Sequence, residues 1–496
     1  MSEKSYTIQL QRYVARYRDS LGVAFVTLIV MSLLFVLSLS VAPDCAFGAP
    51  QAKSSANEHI ESFMTGKAKS AQFASPQGCT CHAELEGQWN SSMHAKSLTD
   101  PFYLAQTKQV EHDAGKDVVK FCDTCHAPAA VMAGGVHTAQ TNDALNGITC
   151  TVCHQVTAHA GKKVGNASLA YPKGGPDGVL HAQLMDPQAA HQASGVQLYN
   201  SSEYCGACHN VMHPANGLKL ETTYDEWKKS TFAVEGVTCQ NCHMVSDASL
   251  KAPVEGQAAM GAPTRKDIFA MTFVGANVSQ GNPELSKAML QKAATVEIDA
   301  PSDIVPAGKQ EKVQVRIKNT GAGHSIPTGL TEVRNMWLTV YAVGADGAKT
   351  ELGRTEFGTK LADENGKDVG AKFWLGAKKK SELRIKAGET YTKDIEVTMP
   401  SNTEAQTVVA ELNYQSARDA DIASSKVENP TTVMAQASYD MYSSEDAKKS
   451  GTAIENAPSE DKSNQDILPA MAVSAIILVT VIAVLVIIRK RQEKKR

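Results

Sequence analysis

Four short stretches of the chain read Cys-x-x-Cys-His: Cys122–His126 (CDTCH), Cys150–His154 (CTVCH), Cys205–His209 (CGACH) and Cys239–His243 (CQNCH). Two thiols three residues apart sit on one face of a helical turn, and the histidine follows directly. That pattern is the attachment signature of c-type haem: the thiols Cys122, Cys125, Cys150, Cys153, Cys205, Cys208, Cys239 and Cys242 add to the two vinyl groups, and His126, His154, His209 and His243 bind the iron from one face. Zinc knuckles or disulfides would also use paired cysteines. Neither requires a histidine after every second cysteine.

A fifth stretch, Gly78-Cys79-Thr80-Cys81-His82, departs from this pattern, because Gly78 stands where the outer cysteine belongs. Cys81 could form one thioether and His82 could bind iron. Alternatively, Cys79 and Cys81 form a redox-active or disulfide-bonded pair, or stay inert thiols. The surrounding sequence favours a fifth haem c beside the four at the regular motifs.

Five irons would take up to five further ligands, and nine of the fourteen histidines lie outside the motifs. An internal repeat selects among them. Gly-(Ile/Val)-Thr-Cys-x-x-Cys-His occurs twice, each time after another Cys-x-x-Cys-His, and His94-Ala95 and His181-Ala182 occupy matching places upstream of the two pairs. The candidates for the far side of the irons are His94, His112, His181, His191, His213 and His324. His59, His137 and His159 read as surface residues. His324 lies in Asn319-Thr-Gly-Ala-Gly-His324-Ser-Ile-Pro-Thr-Gly329, a glycine-rich loop shaped for close approach, and is expected to reach an iron from a second domain.

The elements that would hold these groups change character along the chain. Ten of the eleven cysteines lie between positions 79 and 242. Aromatic residues make up only 6% of the chain, so cofactor is expected to fill part of the interior of residues 49–280, an α-rich, loop-rich multihaem domain. After a short helix over 282–294, capped by Asn282, a period of two predicts strands: Val313, Val315 and Ile317, then Met336–Val343, Leu383 and Ile385, Ile395 and Val397, and Val408–Tyr414. Residues 281–429 are thus expected to form a small, immunoglobulin-like β-sandwich. Residues 430–466, rich in Ser, Ala, Asn and Glu, read as a stalk.

Both ends read as membrane signals. Residues 1–48 combine a basic start with an apolar run, the pattern of a signal peptide or an N-terminal anchor. Residues 467–488 are uncharged and long enough to span a bilayer, and the basic tail 489–496 would lie in the cytoplasm. The expected placement is a C-terminal membrane anchor with the haem domain on the periplasmic or other extracytoplasmic side. The net charge of −3 gives no sign of a nucleic-acid partner.

HAELEGQWNSSMHAKSLTDPFY, CDTCHAP, GITCTVCH, EYCGACHNVMHP, LETTYDEWKKSTFAVEGVTCQNCHM and NTGAGHSIPTGLTEVRNMWL resemble the multihaem cytochromes related to the tetrahaem partner of hydroxylamine oxidoreductase, and also tetrahaem cytochromes of extracellular filaments. The resemblance covers roughly residues 75–340. It implies stacked haem pairs, largely bis-histidine ligation, and distal roles for His94, His191, His213 and His324. The function expected from all this is a membrane-anchored multihaem c-type cytochrome that relays electrons outside the cytoplasm in anaerobic respiration, with redox proteins as partners and no catalytic residue. The alternative is a haem oxidoreductase acting on small nitrogen or sulfur compounds at an open iron, with the GCTCH site as its place.

Overall fold

The computed structural model describes residues 68–134, 145–161, 163–172 and 177–450. Its first part is built of short helices and tight turns. The longer helices there are Pro101–Ala114, started by Asp100, whose carboxylate accepts from the amide of Phe102, and Lys116–His126, whose last turn is CDTCH. CTVCH and CQNCH are each one complete short helix, Cys150–His154 and Cys239–His243. Between these run four two-stranded ribbons, three antiparallel and one parallel. The apolar clusters here are small and made of small residues, such as Leu98, Ala127, Ala129, Ala130 and Val152. A core of that kind stabilises little by itself, since burial free energy scales with apolar area.

Asn282 caps the helix Pro283–Ala293 through the amide of Leu285 at 3.2 Å, and the chain passes directly into strands. We label these β1 (Ala294–Asp299), β2 (Gln310–Asn319), β3 (Asn335–Gly344), β4 (Lys349–Ala362), β5 (Lys378–Leu383), β6 (Thr390–Thr398), β7 (Ala405–Gln415) and β8 (Thr432–Tyr442). They form two antiparallel sheets, with orders β6-β2-β1 and β5-β4-β3-β7-β8. Val313, Val315 and Ile317 of β2, Leu338 and Val340 of β3, and Val408 and Leu412 of β7 are buried in one cluster that both sheets share. Each such side chain contributes on the order of 2 kcal/mol.

Three expectations are corrected. The chain is a mixed α/β structure with several antiparallel sheets, not an α-rich domain followed by an immunoglobulin-like sandwich. A period of two fixes which face of a strand is buried, but not its neighbours, and the three- and five-stranded sheets do not establish a closed sandwich. Residues 432–442 are not stalk: Thr432, Met434 and Met441 are buried and the segment is the edge strand β8. Finally, among the described residues no helix is long and apolar enough to cross a membrane. The run 467–488 and the N-terminal segment 1–48 lie outside the described residues, so the anchor, and the extracytoplasmic placement inferred from its orientation, are without structural support.

The two parts are fastened at two places. Asp113 accepts from Lys372 Nζ at 3.0 Å and Trp374 Nε1 at 3.2 Å, and Asn216 Nδ2 donates to the carbonyl of Gly376. The second place is the glycine-rich loop. Asn319 donates from Nδ2 to the carbonyls of His324 and Ile385, which closes the loop on itself. Ser325 N–H donates to Glu226 Oε2, and Glu226 Oε1 pairs with Arg384 at 2.6 Å. The glycines are needed for contact: a Cβ on Gly321 would lie 2.0 Å from the carbonyl oxygen of Lys292, and one on Gly323 would lie 3.3 Å from both Phe232 and Trp227.

Gly321→Ala is therefore expected to destabilise the protein by about 1–3 kcal/mol, whereas Gly87→Ala, where a Cβ meets nothing within 4 Å on the helix Ala83–Ser91, should stabilise it by about 0.5–1 kcal/mol. Urea denaturation midpoints of the two variants check this. Glu332 supplies a pH test. It is 2% exposed, its Oε2 has no hydrogen-bond partner, and burial pushes its carboxyl up to about 7. The folded state thus holds a proton that the unfolded chain releases near pH 4–5. Stability is full below that range and falls as pH rises through about 7, by up to about 3 kcal/mol. Denaturation at pH 5 and pH 8 should show this loss in the wild type and not in Glu332→Gln.

Candidate haem sites

All ten cysteines among the described residues are free of disulfides, and no cluster of three or more His, Cys, Asp or Glu there could hold a metal ion. Instead, each motif histidine has its Nδ1 against a fixed oxygen: His82 on the carbonyl of Ala258 at 2.7 Å, His126 on Ser97 at 3.3 Å, His154 on His181 at 2.7 Å, His243 on Val274 at 2.6 Å, and His209 on the carboxylate of Glu221 at 3.2 Å. The four carbonyls can only accept, so Nδ1 of His82, His126, His154 and His243 carries the proton and Nε2 keeps the lone pair; for His209, burial lowers the pKa but the Glu221 carboxylate on Nδ1 raises it to about 9, so a metal there would displace the proton on Nε2. This is the arrangement of a metal-ligating imidazole with its orienting partner. His82 of the irregular motif shares it.

Three motif histidines face a second imidazole. The ring centroids are 6.3 Å apart for His82 and His191, 6.4 Å for His94 and His209, and 6.3 Å for His243 and His324. Two imidazoles binding one metal ion from opposite sides at about 2 Å each would have centroids roughly 6 Å apart. The residues present thus fit a haem iron between each pair. The Nδ1 of His191 donates to the carbonyl of Gln192 and that of His324 to Ser325, again leaving Nε2 with the lone pair. The Nδ1 of His94 is buried without a partner. Loss of solvation pulls His94 down to about 3 and His243 to about 4, so both rings are neutral, as metal binding demands.

The segment Ala270–Val274 serves two of these sites. Val274 supplies the acceptor for His243, and Phe273, held at φ 43°, packs its ring 4.4 Å from His94. A non-glycine residue in the left-handed region is strained unless its surroundings fix it, and here ligand positions fix it from both sides.

The other candidates fall differently. His213 donates from Nε2 to the carbonyl of Trp374 at 3.0 Å and accepts the amide of Ala215 on Nδ1 at 3.2 Å. In this structure His213 thus ties the two parts of the chain together. His112 lies at the surface with its Nδ1 on Asp113. His181 meets His154 through its carbonyl, and its own Nδ1 is buried without a partner. His159 accepts or donates at Nε2 to Ser168, while His59 and His137 lie outside the described residues. Tyrosines that composition could not single out lie against the remaining motif rings: Tyr103 stacks on His126 at 4.0 Å and Tyr199 on His154 at 5.8 Å. Glu221 was equally invisible, because nothing in LETTYDEW marks which glutamate turns toward a histidine.

The thiols meet across motifs. Cys79 shares a hydrogen bond with Cys150 of CTVCH, which lowers its pKa to about 6. Cys125 is likewise joined to Cys208, and Cys205 to Cys239. Numbered in chain order from GCTCH to CQNCH, the motifs are the first to fifth sites, and these contacts place the first beside the third and the fourth beside both the second and the fifth.

Comparisons with known proteins agree with this geometry. The family described as cytochrome c554 and c-prime matches residues 78–155, which span the first three motifs. The structure is similar to that of a penta-heme cytochrome c552 from Thermochromatium tepidum, with a TM-score of 0.55 and 20% identity over 75% of this chain and 99% of that one. A CARDB domain from Pyrococcus furiosus covers 30% of this chain and 85% of its own, at 16% identity and a TM-score of 0.17, too low to carry an argument. No curated protein matches. The motifs, the paired histidines, the family match and the shared fold lead to one conclusion: this chain carries a multihaem c-type cytochrome domain.

Proposed function

We propose that the protein is an electron carrier with five haems c, related to the tetrahaem partner of hydroxylamine oxidoreductase and extended by a fifth site. The carrying observation is that all five motif histidines, His82 included, have Nδ1 tied to a fixed acceptor and Nε2 left for iron. The thioethers come from Cys122 and Cys125, Cys150 and Cys153, Cys205 and Cys208, Cys239 and Cys242, and, at the irregular site, Cys81, with Cys79 kept near Cys150. His191, His94 and His324 serve as the distal ligands opposite His82, His209 and His243. When bound, haem supplies one-electron oxidation and reduction.

The chain's own residues do the rest. Fixed acceptors hold the imidazoles in one tautomer, and the glycine-rich loop carries His324 in from the region that follows the helix Pro283–Ala293. The cross-motif thiol contacts support a relay in two segments, the first site with the third, and the fourth with both the second and the fifth. Between the third and fourth sites stand Tyr199 and Tyr204, stacked at 4.7 Å, and both hydroxyls donate to the carbonyl of Cys153. Small redox proteins are the partners this relay would serve. The oxidoreductase reading needs an open iron, and the placement of His191 opposite His82 speaks against the GCTCH site as its location.

The intact mass of the purified protein should show five haems, the one at residues 78–82 bound by a single thioether. Four haems, with the peptide containing Cys81 unmodified, would remove the first site. In the reduced protein, His324→Ala should let carbon monoxide bind one more iron per chain than in the wild type at unchanged haem count. No added carbon monoxide binding would show that His324 is not a ligand.

A further inference from the structure

The five motif histidines differ in one respect. Four donate Nδ1–H to a backbone carbonyl; His209 donates to a carboxylate, Glu221 Oε1, at 3.2 Å. Glu221 is built into place. It ends the ribbon in which Val211, two residues beyond His209, pairs with Glu221. Its side chain is only 12% exposed, and the same Oε1 accepts from Thr223 Oγ1 at 3.2 Å. Across the site, His94 lies with its Nδ1 buried and without a partner. One ligand thus has an anionic acceptor behind it and the other has none.

A charge-assisted hydrogen bond draws the Nδ1 proton further from the ring than a neutral carbonyl does. The ring then gives more electron density through Nε2, which favours the more highly charged, ferric iron. We propose that Glu221 is a positioning residue that acts through His209 and makes the site of Cys205, Cys208 and His209 the lowest in reduction potential of the chain. This rests on the electron-carrier reading above. That site also joins two others through the contacts of Cys208 and Cys205, those of Cys122–His126 and Cys239–His243, so an electron passing between those two meets its uphill step there.

The test is a potentiometric titration of the wild type and Glu221→Gln, in which dithionite supplies one electron per iron, taking ferric to ferrous, and no bond is made or broken. The lowest one-electron component should shift positive in the variant while the others stay in place. No shift, or a shift of every component alike, overturns the proposal. Should the variant fail to assemble, near-infrared magnetic circular dichroism of the oxidised wild type decides: one site with imidazolate character supports the role of Glu221, and sites all alike in their imidazole ligation overturn it. Haem content of the peptide Cys205–His209, measured by mass on the same sample, separates this outcome from failure of the carrier reading, since a peptide without haem would overturn that reading itself.

Discussion

An imidazole can bind a metal through one nitrogen only if the other holds the proton, and it binds in a defined direction only if that proton is given to something that does not move. In this protein the immobile partner is, in four of five motifs, a backbone carbonyl from a distant stretch of chain: Ala258, Ser97, His181 and Val274. Each such hydrogen bond closes a loop. The path of the chain between the motifs, otherwise poor in regular structure, follows from the need to bring a particular carbonyl behind a particular ring. His181 shows the economy of this arrangement, since its carbonyl orients His154 while its ring lies elsewhere.

The same constraint explains why the haem region can hold its shape with such small apolar clusters. Alanines and a few branched side chains supply its protein core. The region from 294 to 442 is the opposite case, with a long apolar cluster running between two sheets. Fastening the first part to the second, through the Asp113–Trp374 contact, the His213–Trp374 bond and the Glu226–Arg384 pair, lends it rigidity that its own core cannot supply. The glycine-rich loop joins the two economies: it packs against Trp227 and Phe232 and delivers His324 at 6.3 Å from His243.

The attachment motifs were legible because covalent chemistry fixes their spacing, and the glycine-rich loop because close approach excludes side chains. β2 and β6 were legible from alternating burial, and β3 and β7, buried almost throughout, from their apolar runs. Pairing was not. Nothing local tells His191 that its counterpart is His82, or Leu383 that its strand lies at an exposed edge, because both are settled by residues more than a hundred positions away or by sheet order. His213 shows the same limit. It sits four residues beyond a motif, where a ligand is expected, yet its two nitrogens are taken by a carbonyl and an amide, and a sequence does not display either.

Gly78 poses the same question from the other side. Losing the outer cysteine removes one covalent tether, and on the sequence alone that could equally leave a pair of spare thiols. What distinguishes the outcomes is everything a tether does not do. If the site had lapsed, there would be no reason for Nδ1 of His82 to stay bound to Ala258, or for His191 to stand opposite it. The thioether holds a haem in the protein, but the histidines and the acceptors behind them define where its iron can sit. In this chain the histidine pair and the acceptor behind His82 are in place at the first site, and on them, more than on the tether, the proposal of a fifth haem stands.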